Sequence, residues 1–441
     1  MIPIRARLAV AMACMWALIA VWFMPTPLAQ APSGFVAIVN ARIIDGTGRP
    51  AMEQATLLVS NGRVEQVGSS SSVKIPNGAT RVEASGKTIV PGFINAHGHV
   101  DAARNSTTPV PEQLLAQLRM YAQYGVTTAY SLGSTPADAA EGLKLRDEQE
   151  KTTLDRARLF SAGVVIADAT PEEARKSVDR NGDQKVDIIK IRVDGPDSNP
   201  NKMKPDVYRA VIDQAHKRGL RLAAHMFYLK DAQGLLDAGA DVLAHSVRDT
   251  DVTPTFIAEM KKRNIGYIPT LTRDLSVYVY ESTPAFFNDP FFLRGKSLYG
   301  RQVAQLSEPA AQEKMRSSQD AQAIKPALQQ ANRNLKLMSD GGVAIAMGTD
   351  TGANLVGRWQ GFFEHMELEM MVKAGMTPMQ ALVAATGGAA RVMKLDAKVG
   401  TLQPGKWADF IVLGANPLTD IRNTHQIDSV WIAGHKVSIG S

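Results

Sequence analysis

His97 and His99 lie two residues apart in Val90-Pro-Gly-Phe-Ile-Asn-Ala-His-Gly-His-Val100, an apolar run of β character that begins with a Pro-Gly pair. Side chains two apart on a strand share a face, so both imidazoles point at one place. Neutral imidazole nitrogens are common zinc ligands, and a catalytic zinc site draws further protein ligands from elsewhere while one position stays open to water. A His-x-His pair taken alone is more often two ordinary polar strand-end residues. The weight therefore falls on what the rest of the chain supplies. Thiolates are not on offer, because the single cysteine, Cys14, lies within the first thirty residues.

With 441 residues and 45% hydrophobic content, the chain has room for one large domain and a smaller one. Its net charge of +6 is spread without a Lys/Arg block or interleaved aromatic and basic residues, which argues against nucleic acid as a partner. Arg5 and Arg7, the apolar run Leu8 to Met24, Pro25, Pro27 and Ala29-Gln30-Ala31 follow the order of a secretory signal peptide. Residues 1–31 are thus read as an export signal, with an uncleaved membrane anchor as the alternative. The mature protein is expected in the periplasm or secreted, with no membrane attachment after cleavage and, lacking cysteine, no disulfide.

Short strands are expected at Val36–Ile43, Thr56–Val59 and Arg63–Val67, with turns at Asp45-Gly46 and Asn61-Gly62, and again at Ala408–Leu413, Val430–Ala433 and Lys436–Ser438. They predict a small β-sandwich domain assembled from residues 36–90 and 398–441. Between its halves, residues 91–397 alternate strands with helical stretches such as Pro111–Tyr124, Pro205–Arg218 and Pro378–Thr386. After the His-x-His strand come Val126–Ser131, Leu159–Val165, Asp187–Val193, Arg221–His225, Asp241–His245, Ile265–Thr270 and Val343–Gly348. Eight β/α units predict an α/β (β/α)8 TIM barrel with its chemistry at the C-terminal ends of the strands. One irregular insertion, Ser282 to Ala321, is either a lid or wall of the substrate pocket or a packed surface excursion. Asp179 to Asp187 superficially resembles a calcium loop, but its glycine is misplaced and the closing Glu is absent, so a solvated turn is expected. Glu364-His365-Met-Glu-Leu-Glu reads as the exposed polar face of a helix after strand eight, the alternative being a supporting role behind the metal ligands.

The residues able to do chemistry fall at these strand ends. His97 and His99 close the first strand, Lys190 is in the fourth, His225 and His245 end the fifth and sixth, and Asp350 follows the eighth. Each has a plain structural explanation, but six at one end of a barrel form a constellation. Arg192, Arg248 and Arg273 lie at or just beyond the ends of strands four, six and seven, where a guanidinium can hold a substrate carboxylate bidentately. Arg273 is the preferred candidate.

At this point the chain resembles the amidohydrolase superfamily, in the group of imidazolonepropionase-like hydrolases and metal-dependent dipeptidases. The motifs that carry the resemblance are Pro91-Gly-Phe-Ile-Asn-Ala-His-Gly-His, Gly125-Val-Thr-Thr, Ala240-Asp-Val-Leu-Ala-His, Gly348-Thr-Asp and Gly400-Thr-Leu-Gln-Pro-Gly-Lys-Trp-Ala-Asp-Phe-Ile-Val-Leu. The resemblance implies two divalent metal ions, one held by His97, His99 and Asp350 and the other by His225 and His245, bridged by a carbamylated Lys190. It also implies that a water between the ions attacks a carbonyl while Asp350 takes its proton. Zinc suits so many imidazoles, with manganese, cobalt and iron left open. Mononuclear deaminases of the superfamily lack the bridging lysine, and many place a Glu three residues after the strand-five His, where this chain has Tyr228. By resemblance to the dipeptidases, Tyr228 hydrogen-bonds the carbonyl oxygen as its charge develops; the plain alternative is a wall residue. Some peptidase relatives carry a Gly-Gly-His segment after strand three, but Ser161-Ala-Gly-Val-Val-Ile-Ala-Asp-Ala has no histidine, and the substrate is not fixed by analogy. The expectation is an exported binuclear hydrolase of an amide bond in a dipeptide, another small peptide or an N-acyl amino acid, with a homo-oligomer left open. The alternatives are an esterase or lactonase using the same water, and an inactive barrel serving as a binding protein.

Overall fold

The computed structural model describes residues 34–103, 106–352 and 354–438, so the expected export signal lies outside the described residues. Among those described, no helix is long and apolar enough to cross a membrane. The strands Phe35–Ile43, Met52–Ser60 and Arg63–Ser69 form an antiparallel meander, with Asn61 and Gly62 at positive φ in the second turn. Thr80–Glu83 and Thr88–Pro91 both pair in parallel with Phe35–Ile43, the former along its first half and the latter at its end. Thr88–Pro91 then pairs antiparallel with Phe410–Leu413, which continues the ladder to Ile427–Ile432 and His435–Val437. Instead of the two sheets of a sandwich, both chain ends therefore contribute to one hydrogen-bonded sheet of eight strands. One long strand splits its open edge between two short partners, and the sheet surrounds its own core of Ile38, Leu57, Val59, Phe410 and Trp431.

Eight parallel strands lie between these ends. Phe93–Gly98, Val126–Ser131 and Arg158–Ser161 make a sheet of three; Ile189–Arg192, Leu222–His225, Val242–Ala244, Gly266–Ile268 and Ala344–Ile345 make a sheet of five. Backbone hydrogen bonds join the two sheets at both seams: Ile166 N donates to Lys190 O at 2.9 Å, and Ala96 N donates to Met347 O at 2.9 Å. Most of these strands are buried on both faces, as their near-continuous apolar sequences require. The expected helices form at Val110–Gln123, Pro205–Lys217 and Pro378–Ala384, each with proline in the first turn, where its missing N–H costs nothing.

Several strands stop short of their apolar runs for local reasons. The third ends at Ser161 because Gly163 turns out at φ 67°, and the sixth and seventh end before His245 (φ 89°) and Thr270 (φ 51°). These last two are non-glycine residues in a left-handed conformation, as is Asp350 (φ 56°). Such conformations persist only where the surroundings over-determine them, and here they cluster at the strand ends that carry the candidate ligands.

The insertion is a packed buttress. Its helices Pro290–Leu293 and Lys296–Leu306 place Phe292 and Tyr299 against Trp359, with ring centroids 5.4 and 5.0 Å apart. Only the end of Asp179 to Asp187 is a solvated turn, at Gln184 and Lys185: its first part completes the helix Pro171–Asp183, where Asp179 accepts from Gln214 and Asp183 from Arg218. Arg158 at the start of the third barrel strand clamps the barrel to the terminal sheet. Both members of its pair with Asp409 are buried, with Arg158 Nε donating to Asp409 Oδ2 at 2.6 Å.

Candidate metal centre

The strand Phe93–Gly98 delivers His97 to the barrel axis, and the chain then brings His99 round to the same cavity. His99 Nδ1 donates to Gly133 O at 2.8 Å, which leaves Nε2 facing Asp350 Oδ1 at 2.8 Å; His97 Nε2 is 3.3 Å from the same oxygen. Lys190 Nζ approaches His97 Nε2 at 3.3 Å. The rings continue from His97 to His245, 4.6 Å between centroids, and from His245 to His225, 4.1 Å. Thr270 Oγ1 fixes His245 through Nδ1 at 2.6 Å, and Asp194 Oδ2 lies 3.0 Å from His225 Nε2. The loop beyond strand eight packs tightly against the first strand: a Cβ on Gly348 would lie 2.5 Å from Ile268 Cγ2 and 2.8 Å from His97 Cβ.

All six expected ligands line one cavity of about 530 Å³, together with Asp101, Arg192, Arg273 and Arg358. A second cavity of about 510 Å³, beside Ile345, Met376 and Arg391, contains no histidine or carboxylate, so chemistry selects the first. Burial drives the imidazoles toward neutrality. His97 is pushed down to about 3 by burial and then by the charge of Lys190; His225 falls to about 4, and His245 well below its usual value, burial being the largest cause in each. His99 behaves differently, since burial opposes its charge but the hydrogen bond and charge of Asp350 outweigh it and raise its pKa. Burial also resists ionisation of Asp350, but Arg358, His97 and His99 hold the carboxyl well below the usual range. Lys190 is pushed down to about 7 by burial, against the pull of Asp350.

This donor set fits divalent cations. Ligand atoms of His97, His99 and Asp350 lie within 4.8 Å of one another, and His97 Nδ1 is buried with no hydrogen-bond partner. Three neutral imidazoles, an ionised carboxylate and a lysine close to neutrality surround one space, which would be a costly arrangement of buried polar groups with nothing to bind.

The remaining candidates separate. Arg273 is in the wall; Nη1 bonds Asp274 Oδ1 at 2.7 Å, while Nε is buried without a hydrogen bond, 3.7 Å from Asp350 Oδ2. Arg192 is at the exposed rim, held by Asp194 at 2.9 Å. Arg248 is not available to substrate: it is 3% exposed, and its donors go to Asp274 Oδ1 at 2.7 Å and Met226 O at 3.0 Å. Tyr228 precedes the helix Leu229–Ala238, lies outside the cavity lining, and packs its ring against Lys202 Nζ at 5.2 Å. The insertion Ser282 to Ala321 contributes no residue to that lining.

Sequence reasoning missed three cavity residues or their partners. Arg358 Nη1 donates to Asp350 Oδ2 at 2.5 Å, from a loop with no periodicity to place it. Asp194 sits in an equally irregular loop. Asp101 did have a signal, because it extends the alternation of His97 and His99 by one more step. The segment from Glu364 to Glu369 is the plainest correction: Glu364, His365 and Glu367 are fully buried, not exposed.

A candidate prolidase from Bifidobacterium longum, whose crystal structure is known, superposes with a TM-score of 0.73 at 26% identity, covering 92% of this chain and 95% of that one. A Xaa-Pro dipeptidase with methionine bound in its active site has the same fold, with a TM-score of 0.69 at 20% identity over 92% of this chain and 100% of that one. An uncharacterized protein of Mycobacterium tuberculosis is 27% identical over 237 residues, which is 52% of this chain and 60% of that relative's length. The enamidase of Eubacterium barkeri is 25% identical over 186 residues, 40% of this chain and 45% of the enamidase. Residues 88–437 match the model of the Amidohydrolase family, and the chain, with its barrel, its terminal sheet and its histidine-lined cavity, belongs to that family.

Proposed function

We propose that this protein is an exported hydrolase with two metal ions that cleaves an amide C–N bond in a small peptide or N-acyl amino acid. One observation carries the reading: six donors from five different strand ends line a single cavity, and most of them are held in the protonation state that metal binding needs. His97, His99 and Asp350 would hold one ion and His225 and His245 the other, with zinc favoured by the imidazoles. Bound there, the ions would supply Lewis acidity and a water that ionises near neutral pH. Lys190, as the neutral amine, adds to carbon dioxide and releases a proton, so that a buried ammonium becomes an anionic oxygen donor. The Asp350 carboxylate, kept ionised by its neighbours, accepts the proton of the attacking water and delivers it to the leaving nitrogen. Arg273 and Arg358 provide positive charge on one wall for a substrate carboxylate, with Arg192 at the rim. Tyr228, outside the wall, is given no part.

The likeness to a candidate prolidase and to an enamidase supports an amide as the scissile group. Export rests on the first thirty-one residues alone. The deciding experiment presents dipeptides, N-acyl amino acids and lactones to the purified, metal-supplemented protein while metal is counted. Amide turnover with two ions per chain is expected. Lactone turnover without amide turnover would replace the reading with a lactonase, and protein that retained no divalent ion would favour a binding protein.

A further inference from the structure

The helix Phe362–Lys373 carries Glu364 and Glu367 one turn apart, on a single face, both fully buried. Each is surrounded by neutral donors. Glu364 Oε1 accepts from Asn95 Nδ2 at 2.6 Å, Thr349 Oγ1 at 2.8 Å and Thr351 Oγ1 at 3.1 Å, while Oε2 accepts from Gly361 N at 2.6 Å. Thr349 and Thr351 flank Asp350, and Asn95 Oδ1 accepts from the backbone N–H of His97 at 3.0 Å. Glu367 serves the neighbouring loop, accepting from Leu271 N, Thr272 N and Thr272 Oγ1, each at 2.7 Å. Those two residues directly follow Thr270, which holds the His245 ring.

Two buried carboxylates without a cation are expensive, and burial pushes both pKa values up to about 7. What they secure is specific. Thr270 and Asp350 both stand in the left-handed region, and each lies within two residues of a group that one of the glutamates grips. The two anchored loops serve different halves of the ligand set.

We propose that Glu364 and Glu367 are positioning residues with separate tasks: Glu364 sets the geometry of the His97, His99 and Asp350 ion site, and Glu367 that of the His225 and His245 site. This rests on the two-ion reading above. The test uses metal-free full-length protein titrated with cobalt(II), read by calorimetry and by the visible absorption of the ion, with thermal stability followed in parallel. Glu364→Gln should weaken one binding event about 10- to 100-fold and leave the other near wild type, and Glu367→Gln should do the reverse. The spectrum of the first variant at low cobalt should match that of His99→Ala, and the second that of His245→Ala. Should a glutamine variant fail to fold, Thr351→Val and Thr272→Val remove one anchor bond each, and Thr→Ser at the same positions should restore affinity. If the variants lose thermal stability but bind both ions normally, or weaken both ions equally, the division of tasks is wrong. A wild-type protein that bound fewer than two ions would instead refute the two-ion reading.

Discussion

Lys190→Met separates the cost of the candidate site from its use. The amine is 3% exposed, and its fall from the usual 10.5 to about 7 corresponds to roughly 5 kcal/mol of differential stabilisation of the neutral form. At pH 7 about half of Lys190 is neutral, against roughly one ordinary lysine in 3000. Between pH 7 and 10.5 the unfolded chain binds more protons at this position than the folded one, so the wild-type contribution rises with pH across that window. Below pH 7 both states hold the proton and the folded state carries the full penalty. Metal-free Lys190→Met, in buffer free of carbon dioxide, should therefore be more stable than wild type by about 2–5 kcal/mol at pH 6, the lower figure allowing for imperfect packing of the thioether. The advantage should shrink toward zero near pH 10. Urea denaturation at the two pH values measures it, and metal analysis of the same variant after separate metal supplementation should find fewer than two ions per chain. A variant no more stable than wild type at pH 6, or one retaining two ions and normal turnover, would refute the buried, carbamate-forming lysine.

Other parts of the molecule make separate predictions. Arg158→Met leaves the Asp409 carboxylate buried without its cation and should cost about 3–5 kcal/mol in chemical denaturation. Gly348→Ala, whose methyl would press on Ile268 and His97, should cost about 1–3 kcal/mol and lower metal occupancy more than a surface Gly→Ala control such as Gly34→Ala. Arg273→Met should raise KM roughly 10- to 100-fold for carboxylate-bearing substrates, the worth of a charge-assisted hydrogen bond, while leaving amides without a carboxylate nearly unchanged. Arg248→Met should instead lower stability without that selectivity, since its partners are internal; the same KM shift in both variants would contradict the assignment.

The convergence of the six candidate ligands on one cavity was legible because each follows or lies in an apolar β run and strand alternation fixes its side. His97 and His99 share a face by period alone, and Lys190, His225 and His245 inherit their end of the barrel from the chain direction of their strands. Loops have no such period. Arg358 comes to Asp350 through a turn that no pattern announces, and Arg248, just past its own strand, is drawn inward by Asp274. Glu364 and Glu367 were misread because charged residues three apart on a helix normally face water. What overrides that preference is a set of backbone and hydroxyl donors from two other loops, visible only after the barrel has closed. The insertion failed as a lid for a similar reason: its aromatics find Trp359 and Phe362, which lie far along the chain.

The terminal sheet also constrains how the protein is made. Pro91 pairs with Phe410, and Gly92 N donates to Asp409 O at 2.9 Å, immediately before the strand that carries His97. Nearly the whole barrel must be synthesised before Thr88–Pro91, the strand that leads into the one carrying His97, gains its antiparallel neighbour. Contacts so distant in sequence fold slowly, and until the last segment arrives Thr88–Pro91 presents an open edge able to pair with another chain. The native centre should thus assemble late, after release of the complete polypeptide. A chain ending before Phe410 is expected to aggregate, with no active barrel accumulating.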